Sequence, residues 1–300
     1  MSRRNAAVSD RSRGENRLGW RLAGPALALM LAVTAWPILQ AFYLSLFSYR
    51  LTDPASRAFI GIENYVTVLT DELWWRDFGV TVLITVVTVS VELVIGFAFA
   101  MVMHRIVFGR GVIRTAILIP YGIITVVSAF AWQYAFSLDS GFVNGWLGLG
   151  DFDWFGGFWS SFFVICLSEI WKTTPFISLL LLAGLAQVSE DMQEAAKVDG
   201  ATAWQRLWKV TIPNMKGAIL VAVLFRTLDS FRIFDNVFIM TAGANGTETL
   251  SLLAFRQLIN RVELGLGSSI SVLLFLSVLL IAFLFIKLFK VDLAQARGER

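Results

Sequence analysis

The stretch EAAKVDGATAWQRLWKVTIP, Glu194–Pro213, is polar and lies between two long apolar runs. Its residues lay out a helix, a turn and a second helix. Ser189 stands where a cap can accept the first free N–H groups, and Glu190 and Asp191 suit the positive end of the helix that follows. Met192, Ala195 and Ala196 give that helix a small-residue face. Asp199-Gly200 supplies a turn, because glycine reaches backbone angles closed to other residues. A second short helix is expected from near Ala203, and Pro213 marks where a further helix can start. A helix-turn-helix of this size at a membrane surface has the shape of a docking element for another protein.

The rest of the chain supplies the membrane. Of its 300 residues 57% are apolar and 16% charged, with a mean hydropathy of +0.69. A soluble chain of this length cannot hide that much apolar surface, so an integral membrane protein is expected. The single cysteine, Cys166, falls in an apolar run and excludes a disulfide within the chain. The only histidine is His104, beside Arg105. A metal site or a histidine-based triad is therefore not expected, and no residue is assigned a catalytic role.

Runs long enough to cross a bilayer, about 20 residues each, lie near Leu22–Phe47, Phe78–Met103, Val112–Phe136, Phe158–Leu185, Gly217–Ile239 and Ile270–Leu288. The first is too long for a signal peptide and lacks a small-residue cleavage site, so it reads as a retained helix. Residues 1–20, rich in Arg, Ser and Asn, are expected to be disordered. The membrane domain then spans 21–290, with the polar loop at 188–213 and a tail at 291–300. Arginines crowd the amino end, Arg105, Arg110 and Arg114 sit in the second connection, and Lys287, Lys290, Arg297 and Arg300 close the chain. The first and third connections are acidic on balance. The positive-inside rule puts both termini and the Glu194 loop in the cytoplasm. The +3 net charge thus reflects topology, with no basic patch of nucleic-acid type.

Charges within the apolar runs are the next signal, since each costs at least ~2.5–3.5 kcal/mol to insert and must face protein or a watery cavity. The fifth run contains Arg226, Asp229, Arg232 and Asp235, then Asn236. Steps of three turn a helix by about 300°, so these charges drift around the axis by about 60° each. Alternation of sign predicts i,i+3 pairs, Arg226 with Asp229 and Arg232 with Asp235. The fourth run holds Glu169, Trp171, Lys172, Thr173 and Thr174, with Pro175 next to bend the helix. Acid, base, hydroxyl and aromatic groups close together suit a sugar, whose hydroxyls bond to charged side chains and whose C–H face stacks on rings. The same residues also suit a buried Glu169–Lys172 pair and a neutralised network that fastens helices. Glu92 reads as a lone carboxylate for helix packing or gating.

The Glu194 loop closely resembles the EAA loop of ATP-binding-cassette (ABC) importer permeases: Glu194-Ala195-Ala196, Gly200 and Ile212-Pro213 fill that pattern without a gap. From near Trp20 onward the chain is similar to the permease subunits of carbohydrate importers. WKTTPF at Trp171–Phe176 and LFRTLDSFRIFDN at Leu224–Asn236 resemble permeases of trehalose importers. The resemblance implies an all-α integral membrane protein of the bacterial inner membrane, with six transmembrane helices of the type I ABC importer fold and a cytoplasmic EAA coupling helix. It places coupling to an ATPase on Glu194, Ala195, Ala196, Asp199, Gly200, Trp204 and Leu207. It places substrate contacts on Glu169, Lys172, Thr173 and Phe176 before the loop, and on Asp229, Ser230 and Ile233 after it. The maltose permeases have amide and small residues at several of these places, where this chain has charged ones.

Six helices make half a pore, so the resemblance implies a second permease, an ATP-binding-cassette ATPase dimer that binds the ATP and Mg, and an extracytoplasmic sugar-binding protein, all in membrane lipid. No GxxxxGK[ST] phosphate loop occurs, so no cofactor and no enzymatic activity are expected of this chain. Trehalose is the implied solute, with maltose-like disaccharides or glycerol phosphate as alternatives. A secondary transporter or channel subunit using the intramembrane Arg and Asp residues without ATP leaves the Glu194 loop unexplained. A membrane enzyme using Glu169 or Asp229 as general acid needs paired acids that the spacing does not supply.

Overall fold

The protein is described by a computed structural model over residues 2–106 and 108–289; the expected tail at 291–300 lies outside them. In chain order the elements are α1 (Ser2–Ser45), β1 (Phe47–Arg50), β2 (Asp53–Phe59), α2 (Glu63–Thr70), α3 (Glu72–Arg105), α4 (Arg110–Gly122), α5 (Thr125–Phe136) and α6 (Val143–Leu147). There follow α7 (Phe158–Leu185), α8 (Glu190–Val198), α9 (Ala203–Arg206), α10 (Ile212–Asn214), α11 (Lys216–Ser230), α12 (Asp235–Met240), α13 (Leu250–Phe255) and α14 (Leu264–Phe289). Helix α1 starts at Ser2, inside the stretch expected to be disordered. The first proline is Pro25, so nothing upstream stops a helix that the apolar run propagates backwards.

The chain divides into two units, Met1–Val68 with Gln257–Val272, and Leu69–Arg256 with Leu273–Arg300. In the first, an antiparallel hairpin pairs Phe47 with Phe59 and Ser48 with Ala58. It is an addition to the all-α expectation. The Asn64 amide ties it to the end of α1, donating to the carbonyls of Ser45 at 2.8 Å and Phe47 at 2.9 Å. Arg50 pairs with Glu263, and the Arg57 guanidinium lies 4.6 Å from the Phe47 ring.

The second unit is built on α3 lying along α7. The two approach closely at Gly96, where an added Cβ would fall 2.7 Å from Ile177 Cγ2. Among the described residues, apolar clusters fill this unit on either side of a charged layer. One gathers Ile84, Ala129, Val164, Ile165, Val237 and Leu252; another gathers Ala100, Ile177, Leu181, Met215 and Ala222. Along α3, α7 and α11 the charged residues Glu92, Glu169 and Arg226 fall between these two clusters. Gly96→Leu is expected to overpack the α3–α7 contact by about 1–3 kcal/mol. A lower thermal unfolding temperature of the purified protein, with the same chain yield, is the measurement.

Among the described residues six unbroken spans do not form. Among the same described residues four helices are long and apolar enough to cross a membrane, Leu18–Ser45, Glu72–Arg105, Phe158–Leu185 and Leu264–Leu288. The third expected span is the pair α4 and α5, bent by 87°. Pro120 lacks an N–H and Gly122 costs helix entropy, so α4 ends there. The fifth is also broken: α11 stops at Ser230 after 15 residues, about 22 Å against the ~30 Å of a hydrocarbon core. The chain resumes as α12 at Asp235. By contrast, α7 is continuous through Pro175.

Candidate functional site

Arg226 is fully buried and is the centre of the charged layer. Its Nε donates to Glu92 Oε2 at 2.6 Å, and its Nη2 to Glu92 Oε1 at 3.0 Å and Glu169 Oε1 at 2.6 Å. Its Nη1 reaches Asp229 Oδ2 at 2.7 Å. One guanidinium thus joins α3, α7 and α11, using the planar fork that an ammonium lacks. Thr173 Oγ1 donates to Glu92 Oε1 at 2.7 Å, so Glu92 is anchored on both sides and is not lone. The Asn236 amide donates to the second oxygen of Glu169 at 2.5 Å. Glu169 therefore clasps the broken segment from both sides, holding α11 through Arg226 and α12 through Asn236.

The Arg226–Asp229 pair forms as the spacing predicts; the other two expected pairs do not. Arg232 lies in the break after α11 and Asp235 opens α12, so the helical geometry that would bring them together is absent. Lys172 turns from Glu169 and donates to the Ile123 carbonyl at 2.7 Å. Ile123 sits at the bend between α4 and α5, where a carbonyl has left the helical ladder. Lys172 thereby fastens that bend to α7.

A cavity of ≈ 470 Å3 opens beside this layer, lined by Tyr121, Thr125, Glu169, Lys172, Thr173, Asp229, Arg232, Ile233, Phe234, Asp235 and Asn236. The structure brings Glu169, Lys172, Thr173, Asp229 and Ile233 together here, as expected from the sequence. It does not bring Ser230, which is buried with its hydroxyl 3.1 Å from that of Thr88. Phe176 stays behind the wall, stacked on Tyr121 at 5.6 Å. Trp171 packs edge-on against Trp132, so the aromatic surface of the cavity comes from Tyr121 and Phe234. Tyr121 and Thr125 escaped the sequence reading because they flank an unforeseen bend, of which Pro120-Tyr121-Gly122 was the available signal. Arg232, Phe234, Asp235 and Asn236 enter through the helix break, which no glycine or proline announces. The volume is within the ~300–1,000 Å3 of small-molecule sites.

The Glu194 loop has the expected plan with altered details. Ser189 occupies the cap position of α8 without making the side-chain cap bond. The cap forms instead on α9, where Thr202 and Gln205 complete a capping box. Gly200 makes the turn at φ +80°. Leu207–Thr211 is wound as a π turn leading into α10, and α11 begins only at Lys216. Glu194, Ala195, Asp199 and Gly200 are exposed, Ala196 and Leu207 half-buried. Met192, Val198, Trp204 and Trp208 expose large apolar side chains on the same loop, Val198 at 87%. Trp208 was missed; its four-residue spacing from Trp204, which brings the rings to 5.6 Å, was the signal.

Long apolar helices, a charged cavity and an exposed loop carrying Met192, Val198, Trp204 and Trp208 suit a transport permease. The chain belongs to the family of binding-protein-dependent transport system inner membrane components, whose model matches residues 92–292. It is 51% identical to the trehalose transport system permease protein SugA of Mycobacterium tuberculosis, over 92% of this chain and 89% of that one. It is 37% identical to the trehalose/maltose transport system permease protein MalF of Thermococcus litoralis, over 91% and 94% respectively. A bacterial ABC transporter involved in alginate import shares the fold, with TM-score 0.80 at 18% identity over 94% of this chain and 98% of that one. The type I ABC importer permease fold and a multi-pass membrane location follow, as does the role of permease, not ATPase.

Proposed function

We propose that this chain forms half of the path by which an ABC importer takes up a neutral disaccharide, with trehalose as the first candidate. The observation that supports it most is the ≈ 470 Å3 cavity, where acids, bases, a threonine pair and two aromatic rings converge. Relatives that carry trehalose or trehalose and maltose in their names point to the same solute. Asp229, Lys172, Thr173 and Ile233 face the solute in this reading, and Glu169 holds the wall. Phe176 supports Tyr121 from behind. A second permease completes the pore, a binding protein delivers the sugar on the outer side, and both termini lie in the cytoplasm.

The Glu194 loop docks into a cytoplasmic ATPase dimer, which binds the ATP and Mg. The exposed apolar groups of Met192, Val198, Trp204 and Trp208 suit burial in that interface. When the dimer closes, α8 moves as a lever joined to α7 on one side and, through α9 and α10, to α11 on the other. Those two helices hold the Arg226 layer, so the lever acts directly on the cavity wall.

Asp229 is the cleaner test because its side chain is 62% exposed. Asp229→Asn is expected to raise the KM for trehalose uptake about ten- to hundred-fold, from the loss of one charge-assisted bond to a hydroxyl. Lys172→Met should act in the same direction. Uptake of labelled trehalose, with the amount of assembled complex measured in the same cells, decides. Unchanged KM with less complex would leave these residues as fasteners only.

A further inference from the structure

A second cavity, of ≈ 190 Å3, lies where the end of α3 meets the coupling loop. Its walls take His104 and Arg105 from the last turn of α3 and Arg206 from α9, against a single acid, Glu190. None of these four is in an ion pair among the described residues. The Nε of Arg206 is buried and has no hydrogen-bond partner. A guanidinium nitrogen taken from water without an acceptor is costly, and two arginines sharing one pocket repel each other. Both costs vanish if an anion occupies the pocket. The rest of the lining is Met101, Leu185, Val188, Ala203 and Leu207 together with Gln193 and Thr211, whose side chains are joined by a 2.9 Å bond from the Gln193 amide to Thr211 Oγ1.

We propose that this pocket binds a phosphate-bearing anion, with Arg105 and Arg206 as the charged ligands and His104 as a further donor. Planar guanidinium groups match the paired oxygens of a phosphate. The anion would bridge the end of α3 to the coupling loop and fix the angle at which the loop leaves the membrane. The cytoplasmic placement rests on the orientation proposed above, where basic pockets beside helix ends meet anionic lipid headgroups. A phospholipid headgroup and free phosphate share this chemistry.

The test uses the whole importer, purified in mild detergent, with Arg105→Gln, Arg206→Gln and Arg206→Lys variants. Native mass spectrometry counts lipids retained from mixed micelles of phosphatidylglycerol and phosphatidylcholine. Thermal unfolding is followed with and without inorganic phosphate. Retention of phosphatidylglycerol several-fold above phosphatidylcholine, lost in both Gln variants and partly kept in Arg206→Lys, supports a lipid occupant. No lipid preference, but a phosphate-dependent rise in unfolding temperature confined to the wild type and Arg206→Lys, supports free phosphate. No preference and no rise, or the same values in the Gln variants, overturns the proposal. The two Gln variants sit on separate elements, so misfolding of one leaves the other as a test. Failure of the ATPase to co-purify would sink the coupling reading while leaving this binding readout intact.

Discussion

Arg226→Met is expected to cost about 3–5 kcal/mol and to remove most assembled complex from the membrane. The figure is that of breaking a buried ion pair and leaving a charge behind. Glu92 is fully buried and the Glu169 side chain is 9% exposed, and Arg226 supplies hydrogen bonds to both. Once the guanidinium is gone, two carboxylates face each other across α3 and α7 with only Thr173 and Asn236 as donors. Arg226→Lys should fail nearly as badly, because one ammonium cannot span Glu92, Glu169 and Asp229 together. Adding Glu92→Gln to Arg226→Met should recover part of the loss by removing one stranded charge. Complex yield and thermal unfolding in mild detergent read the series. A single variant as stable as wild type, or a double variant no better than the single, would show that the layer is not what holds these helices.

That layer explains how much was visible in the chain beforehand. Arg226–Asp229 was legible because both partners lie on one helix, three residues apart. Glu92 and Arg226 are 134 residues apart, and no periodicity within either helix carries the register of α3 against α11. Their charge alone showed that partners must exist, not which ones. The Glu194 loop was legible almost throughout, since caps and turns depend on neighbours in sequence. Even there the capping moved from Ser189 to Thr202, whose Gln205 three residues on is the capping-box pattern. The hairpin had its own signal in Phe47-Ser48-Tyr49-Arg50, alternating before the Leu51-Thr52 turn, but the apolar run that precedes it masks the change of period. The break at Phe231–Phe234 had none: four residues of ordinary helical or strand character leave the helix because Glu169 is bonded on either side of them. Cavity residues supplied by tertiary bonds of this kind are the ones sequence patterns miss.

Gly200→Val should uncouple transport while leaving the permease assembled. The glycine has φ +80°, and no atom beyond its two chain neighbours lies within 4 Å of where a Cβ would be. The penalty is therefore confined to the backbone, about 1–3 kcal/mol for a β-branched residue held in that region. Nothing in the membrane core is disturbed, so insertion and complex yield should match wild type. The turn sets the angle between α8 and α9, and with it whether Glu194 and Trp204 are presented to one partner surface together. If docking requires this turn, the same free energy appears as an occupancy loss of roughly five- to hundred-fold. A graded series separates conformation from bulk. Gly200→Asn, which tolerates left-handed angles, should retain most uptake; Gly200→Ala should be intermediate and Gly200→Val lowest. Sugar-stimulated ATP hydrolysis by the reconstituted complex should follow the same order, because ATPase and cavity would have lost contact through one joint. Equal uptake in all three, at normal expression, would count against a coupling role for this loop.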